Sequence, residues 1–258
     1  MSVDRAQREQ IAYDEHDVFE NSKRWHQRVI HVVHGPNTEL GEQRFERLAR
    51  DAAADRRVLD IGCGRGESSK ELLDLGARSV RGVDVSQKWI GHAKERYERP
   101  GVLEYACLDV TEPFEGTYDL IFGRSILHHL DYRPFLERVY AENLAPGGVL
   151  LFMEPLGSNV ITKAFHALVK SAHTPDERPF DTTDLDWLRA TFPDVRLIPI
   201  NFLSYPVGIA SSLVLRHRPA DNAVMRAADR ADRWIERRPR ALPQARQLIV
   251  HVRRPAEA

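Results

Sequence analysis

Val58-Leu59-Asp60-Ile61-Gly62-Cys63-Gly64-Arg65-Gly66-Glu67-Ser68 is the stretch on which the fold turns. Its apolar opening suits a buried strand, and it passes at once into a glycine-rich turn and a helix start. Glycines permit positive φ and let the backbone come close to a ligand. The first turn of the helix adds unpaired N–H groups and a positive dipole end. A ligand held there would sit at the carboxyl edge of an open α/β sheet, where strand order reverses. A nicotinamide fingerprint, G-x-G-x-x-G, does not fit, because the third glycine comes one residue early at Gly66 and Glu67 stands in its place. No G-K-[ST] follows, which excludes a P-loop. Asp60, just before the turn, would repel a pyrophosphate and suits a ligand carrying an ammonium group.

Around this stretch, short apolar runs alternate with amphipathic helices. Strands are predicted over 57–61, 79–84, 102–107, 117–122 and 148–153, and helices over 66–75, 87–98 and 133–144. Such alternation implies a parallel sheet covered on both faces, with right-handed crossovers. Upstream, 4–54 reads as helical, with Val18, Phe19, Trp25, Val29, Val32 and Val33 at helical spacing. Gly35-Pro36-Asn37 breaks the run, and a second helix carries Leu40, Phe45 and Leu48. Downstream come a helix over 158–171, a loop (TPDERPFDTTD) ending in an N-cap for 183–191, strands over 195–204 and 245–253, and a helical, arginine-rich stretch over 209–238. Asp221, Asp229, Asp232 and Glu236 are interleaved with those arginines, so the stretch reads as a solvated helix face.

The chain has 258 residues, 42 % hydrophobic and 29 % charged, enough apolar material for one domain with insertions and too much for a disordered chain. A net charge of -1 provides no global positive field for nucleic acid. Cys63 and Cys107 are too few for a disulfide framework and lack metal-ligand spacing, which fits a reducing compartment. The charged opening MSVDRAQREQ does not resemble a secretory leader, and no apolar run approaches the ~18 residues of a membrane helix. The expectation is a cytoplasmic protein without a membrane partner.

Asp60-x-Gly62-x-Gly64-x-Gly66 resembles the first motif of class I S-adenosylmethionine-dependent methyltransferases, and the order of the downstream segments agrees. Asp84, in VRGVDVS, matches the family's acidic residue for the two ribose hydroxyls, with Val85 against the adenine. Asp109, in CLDV, matches the acidic residue after the third strand, which accepts from the adenine amino group beside the Val110 backbone. YDLIFGRSILHHL (118–130) resembles the fourth motif and LAPGGVLLFMEP (144–155) the turn and strand after it. The resemblance covers roughly 55–155 and is greatest to small-molecule methyltransferases of ubiquinone and menaquinone biosynthesis. It implies a doubly wound, seven-stranded, mostly parallel sheet of the Rossmann-like methyltransferase kind. It implies a helical extension or lid over 1–54, a methyltransferase domain over 55–258, and acceptor-pocket insertions at about 155–192 and 205–243. Cofactor contacts are expected from Asp60, Gly62, Cys63, Gly64, Gly66, Asp84, Val85, Asp109, Val110 and Arg124.

The implied reaction moves a methyl group from S-adenosylmethionine to an oxygen, nitrogen or carbon of a small molecule in specialised metabolism. Alignment and exclusion of water contribute most, up to ~7–11 kcal/mol, and a base adds ~10²–10⁴-fold where the acceptor must lose a proton. His128 and His129, after the fourth strand, are the candidate bases, although helical rotation of ~100° per residue would turn them apart. Arg124 would meet the cofactor through its backbone or bind an acidic substrate. Tyr13, His16, Trp25, His26, His31 and His34 are candidates for a lid, and His166, His173, Phe180, Phe202 and Tyr205 for pocket walls. The histidine spacing reproduces no zinc helix, so no metal is expected. Competing readings are a nucleic-acid or protein methyltransferase, a non-catalytic cofactor-binding protein and a nicotinamide dehydrogenase. The first lacks both the Asp/Asn-Pro-Pro-aromatic stretch and a paired-glutamate loop after the fourth strand, where Gly123-Arg124-Ser125-Ile126 stands, although the basic segment 216–254 favours it. The dehydrogenase fails on glycine spacing and on the absence of a Tyr followed four residues later by Lys.

Overall fold

Side chains alternate across each predicted strand, and the alternation builds two cores, one on each face of a seven-stranded sheet. The structure is a computed structural model describing residues 8, 10, 11, 27–158 and 177–256. Tyr13, His16, Val18, Phe19, Trp25, His26, His166, His173 and most of the helix expected over 158–171 lie outside the described residues. Strands run β1 (Arg57–Ile61), β2 (Ser79–Asp84), β3 (Leu103–Cys107), β4 (Tyr118–Arg124), β5 (Leu144–Pro155), β6 (Val195–Ile200) and β7 (Gln247–Arg253). Their order is β3-β2-β1-β4-β5-β7-β6, with β7 antiparallel to both neighbours and β1 to β5 parallel. The chain winds outward from β1 to β3 and then returns to β4 beside β1. That reversal makes the carboxyl edge between β1 and β4 the switch point where ligands bind in open sheets.

The described helices are α1 (Ile30–Val33), α2 (Pro36–Ala53), α3 (Glu67–Asp74), α4 (Gln87–Tyr97), α5 (Tyr132–Glu142), α6 (Thr182–Thr191), α7 (Ser204–Val214) and α8 (Ala223–Glu236). Their starts are chemically marked. Pro36 opens α2 after Gly35, Ser86 caps α4 by accepting from Trp89 N–H at 3.1 Å, and Asp181 with Asp184 forms a capping box on α6. Val58, Leu120, Phe122, Leu151 and Met153 face α2, α3 and α4, whereas Leu59, Ile61, Ile121, Leu150 and Phe152 face α5 and α6.

Several expectations change. The stretch over 209–238 is two helices, because Asn222 starts α8 afresh by accepting from Val224 and Met225 N–H. The strand expected over 195–204 stops at Ile200, since Asn201 takes a φ of +58° and α7 begins at Ser204. Asp229 and Asp232 do not lie on a solvated face. Both are buried, Asp229 binding Asn37 and Arg233, and Asp232 accepting from Phe202, Leu203 and Ser204 N–H at the start of α7. Phe45 of α2 is fully buried beside Phe122, with ring centroids 5.0 Å apart, so 36–53 packs on the sheet. His31 is likewise a packing residue, with Nδ1 2.7 Å from Ser211 Oγ and Nε2 3.0 Å from the Arg218 carbonyl. Among the described residues, no helix is long and apolar enough to cross a membrane.

Candidate functional site

Leaving β1, the chain turns through Gly62, Gly64 and Gly66 at φ of +67°, +55° and +90°. A Cβ on Gly62 would lie 2.7 Å from the Ile126 side chain, and one on Gly66 would lie 2.7 Å from Tyr105 Oη and 2.9 Å from Ala93. The turn closes only because those carbons are absent, which leaves a bare backbone cradle at the switch point. Gly62 and Cys63 N–H donate to the Val83 carbonyl at 2.9 and 3.1 Å, pinning the turn to β2.

Asp84 ends β2 and reaches across the same gap. Its Oδ2 accepts from Gly64 N–H at 2.9 Å and its Oδ1 from Ser86 N–H at 2.9 Å. These two bonds orient the Asp84 carboxylate at the edge of the turn. Val85 follows, half-buried. Leu108 N–H donates to the Asp84 carbonyl at 3.0 Å, which brings Asp109 to the same edge. Asp109 Oδ1 accepts from Thr111 N–H at 2.9 Å and Thr111 Oγ at 2.6 Å, closing a local turn. Val110 is buried, and its carbonyl accepts from Arg138 at 2.6 Å.

Asp60 sits beneath the turn, not in it. It is 1 % exposed, and its Oδ2 accepts from Ser68 and Ser69 Oγ, both at 2.6 Å, at the start of α3. Its charge acts on the cradle through the low-dielectric interior, and its atoms brace the helix start. Burial pushes the carboxyl up to about 6, the serine hydroxyls oppose the rise, and the Asp84 charge adds to it. The native chain therefore holds a proton that the unfolded chain has released between about pH 4 and pH 6. Stability falls as pH rises through that window, and above it the buried charge costs on the order of 3 kcal/mol. Asp60→Asn is expected to raise urea-unfolding stability at about pH 8 by up to that amount, with the difference from wild type shrinking toward about pH 4. A difference that is equal at both pH values would refute this account of Asp60.

Cys63 is buried and the same burial pushes its thiol up, so it is protonated and no nucleophile. Cys63, Gly64, Arg65, Ser68, Trp89 and Arg124 line an open cleft of about 730 Å³ along the turn and α3. The Arg124 guanidinium is committed to α2, pairing with Glu42 and lying 5.1 Å from the Phe45 ring centroid.

Beyond β4, Leu127–His129 is a single 3-10 turn. His128 and His129 do not diverge as helical rotation would have them. Both are buried, and their ring centroids are 4.2 Å apart. Glu154, fully buried on β5, accepts from Ile126 and Leu127 N–H with Oε1, both at 2.9 Å, and its Oε2 lies 2.7 Å from His128 Nδ1. This contact and the two backbone bonds to Glu154 fix the orientation of the His128 ring. Arg178 N–H donates to the His128 carbonyl at 2.7 Å. Through that bond Glu177 joins the histidines, and one ligand atom from each of His128, His129 and Glu177 lies within 4.8 Å of the others.

Glu154 and Glu177 were missed from the sequence. Glu154 had a readable signal, as the one carboxylate in the apolar run GVLLFMEP. Glu177 had none, because only the fold carries it to the histidine turn. Three proposed wall residues pack into the protein instead: Phe180 and Phe202 join the core facing α5, and Tyr205 is buried below Arg246.

Residues 59–152 match the family described as the methyltransferase domain. Phosphoethanolamine N-methyltransferase 1 of Triticum aestivum is 33 % identical over 107 residues, 40 % of this chain and 22 % of that protein. The ubiquinone biosynthesis O-methyltransferase of Nitrosococcus oceani is 30 % identical over 122 residues, 45 % of this chain and 51 % of that protein. The chain thus spans about half or less of the length of these curated relatives. Among solved structures, magnesium protoporphyrin IX methyltransferase from Synechocystis, with bound SAH, superposes at a TM-score of 0.58 and 14 % identity, covering 97 % of this chain and all of that one. That likeness shows the fold, with the same seven-stranded sheet and flanking helices. Strand order and glycine turn agree with the methyltransferase-domain match, which spans residues 59–152 of this chain.

Proposed function

We propose that this protein transfers a methyl group from S-adenosylmethionine to a nucleophile of a small molecule. The observation that carries the reading is the Asp84 carboxylate bonded across the switch point to the Gly64 N–H of a turn whose Gly62 and Gly66 leave no room for a Cβ. That pairing sets a two-oxygen acceptor beside bare backbone, which is what an adenosine ribose and a flexible amino-acid tail require. When bound, the cofactor supplies an electrophilic methyl on a sulfonium.

The chain's own residues bind, orient and exclude water. Gly62, Cys63 and Gly64 lie along the ligand's backbone side, and Asp84 takes the ribose hydroxyls. Val85 and Val110 border the base, with Asp109 at its edge and the Arg124 backbone at the end of β4. Asp60, from beneath, favours a cationic head above the turn through its charge. His128 and His129, held at the carboxyl edge by Glu154, are the acceptor-side groups that manage the acceptor's proton. The acceptor's identity, and with it a role in specialised metabolism, rests with the segments 155–192 and 205–243, because the sheet is common to many chemistries. A net charge of -1 supports a small acceptor over nucleic acid, and the paucity of cysteine supports a cytoplasmic setting.

Calorimetry with S-adenosylhomocysteine, followed by methyl transfer from labelled cofactor to a panel of small phenols, amines and carboxylic acids, tests the reading. Saturable binding and one methylated product are expected. No binding at millimolar ligand would overturn it, and binding with no product on any acceptor would make the protein a non-catalytic cofactor binder.

A further inference from the structure

We propose that His128, His129 and Glu177 hold a divalent first-row transition ion, for which Zn2+ is the reference, and that this ion binds an oxygen of the methyl acceptor. The second half rests on the methyl-transfer reading above and deepens it, naming an oxygen nucleophile as the acceptor class. The first half stands on the side chains alone.

Spacing comes first. Imidazole nitrogen and carboxylate oxygen bind Zn2+ at about 2.0–2.2 Å, so ligand atoms around one ion lie roughly 3–4.4 Å apart. The three ligand atoms here are all within 4.8 Å of one another, a set that closes on an ion by small side-chain adjustments. Donor type comes second. Two imidazoles and one carboxylate suit zinc and its first-row neighbours, whereas magnesium and calcium favour all-oxygen shells.

Orientation is the third and independent observation. Histidines that bind metals usually give their other ring N–H to a carboxylate or carbonyl, which fixes the tautomer. Glu154 does this for His128 at 2.7 Å and is itself fixed by two backbone N–H groups at 2.9 Å. The alternation along β5 places Glu154 on this face, with Leu150 and Phe152. Glu177 is likewise tied by backbone, through the Arg178 N–H to His128 carbonyl bond of 2.7 Å. The backbone on both sides of the cluster is therefore tied in place.

Three protein ligands leave at least one position open, as in catalytic zinc sites. His128, His129 and Glu177 would hold the ion with that position facing the acceptor, where it would favour the ionised form of an acceptor hydroxyl whose proton would leave to bulk solvent before the site closes. The O–H bond breaks heterolytically and no electron is transferred, so no further reactant is needed. A bound divalent ion lowers the pKa of coordinated water by several units, and a coordinated hydroxyl is shifted in the same sense. The histidine nitrogens then act on the acceptor's proton through the ion instead of as bases.

The test uses the whole chain, stripped with a chelator and titrated with Zn2+ by calorimetry and with Co2+ by visible absorption. Wild type is expected to bind one equivalent of each and to show the d–d bands of a low-coordinate Co2+ site. His129→Ala and Glu177→Gln should each weaken binding by at least tenfold, and Glu154→Gln by a comparable factor. S-adenosylhomocysteine binding, measured in parallel, should be unchanged in Glu177→Gln and certifies that the variant is folded. Absence of saturable binding and of Co2+ bands in wild type would overturn the metal site, as would equal affinity in Glu177→Gln. Cofactor-product binding that survives such a result leaves the methyl-transfer reading standing, and its loss with the metal site intact overturns only that reading.

Discussion

Asp84→Ala is expected to weaken S-adenosylhomocysteine binding by about 100-fold or more in calorimetry, with the fold retained. The alanine removes an ionised acceptor from Gly64 and Ser86 N–H, bonds observed at 2.9 Å each. It also removes the proposed partner of the ribose hydroxyls. Hydrogen bonds to a charged group are worth about 1.5–3 kcal/mol each, and two lost on the ligand exceed the ~2.7 kcal/mol that 100-fold represents. Slackening of the glycine turn adds to the loss, because Gly64 N–H no longer has its carboxylate. Asp84→Asn keeps one acceptor and should fall between wild type and alanine. Affinity within threefold of wild type in the alanine variant would remove the ribose from this position.

The second large effect lies behind the histidine turn. Asp184 is fully buried and accepts from Tyr132 Oη at 2.6 Å, Arg133 Nε at 2.9 Å, a second Arg133 nitrogen at 2.7 Å and Asp181 N–H at 3.0 Å. Arg178 approaches the same carboxylate at 3.3 Å. Burial pushes the Tyr132 phenol up, and its bond to Asp184 adds to the rise, so Tyr132 stays protonated and donates. Asp184→Ala leaves that hydroxyl and a guanidinium without their acceptor and breaks the capping box of α6. Removing one partner of a buried pair costs about 3–5 kcal/mol, which for a chain of this size lowers Tm by roughly 10 °C. A shift of less than about 2 °C by calorimetric scanning would show that the hub is dispensable.

The strands around the glycine turn were legible because each is an apolar run bounded by turn residues, and β1 and β2 fall where the pattern places them. The switch point was legible for the same reason, since a strand, a glycine turn and a helix start have no second arrangement in an open sheet. Asp84 was singled out by its resemblance to the family's acidic residue after the second strand, and β2 does end on it. Asp229 and Asp232 were misread because alternating charge on a helix says nothing of which carboxylates another element caps. Asn222 was hidden inside what looked like one helix, and only its side-chain bonds to Val224 and Met225 reveal a new start. The pairing of His128 with His129 depended on a 3-10 turn replacing an α-helix, and Glu177 on a contact distant in sequence. Local composition carries neither.

β7 is threaded between β5 and β6 although it is made after both. Until Gln247–Arg253 leaves the ribosome, the long apolar margin of β5 has no neighbour on that side, and β6 has no sheet to join. A nascent or prematurely terminated chain would therefore present an open seam able to recruit foreign strands. The sheet is continuous from β5 to β6 only once β7 is in place.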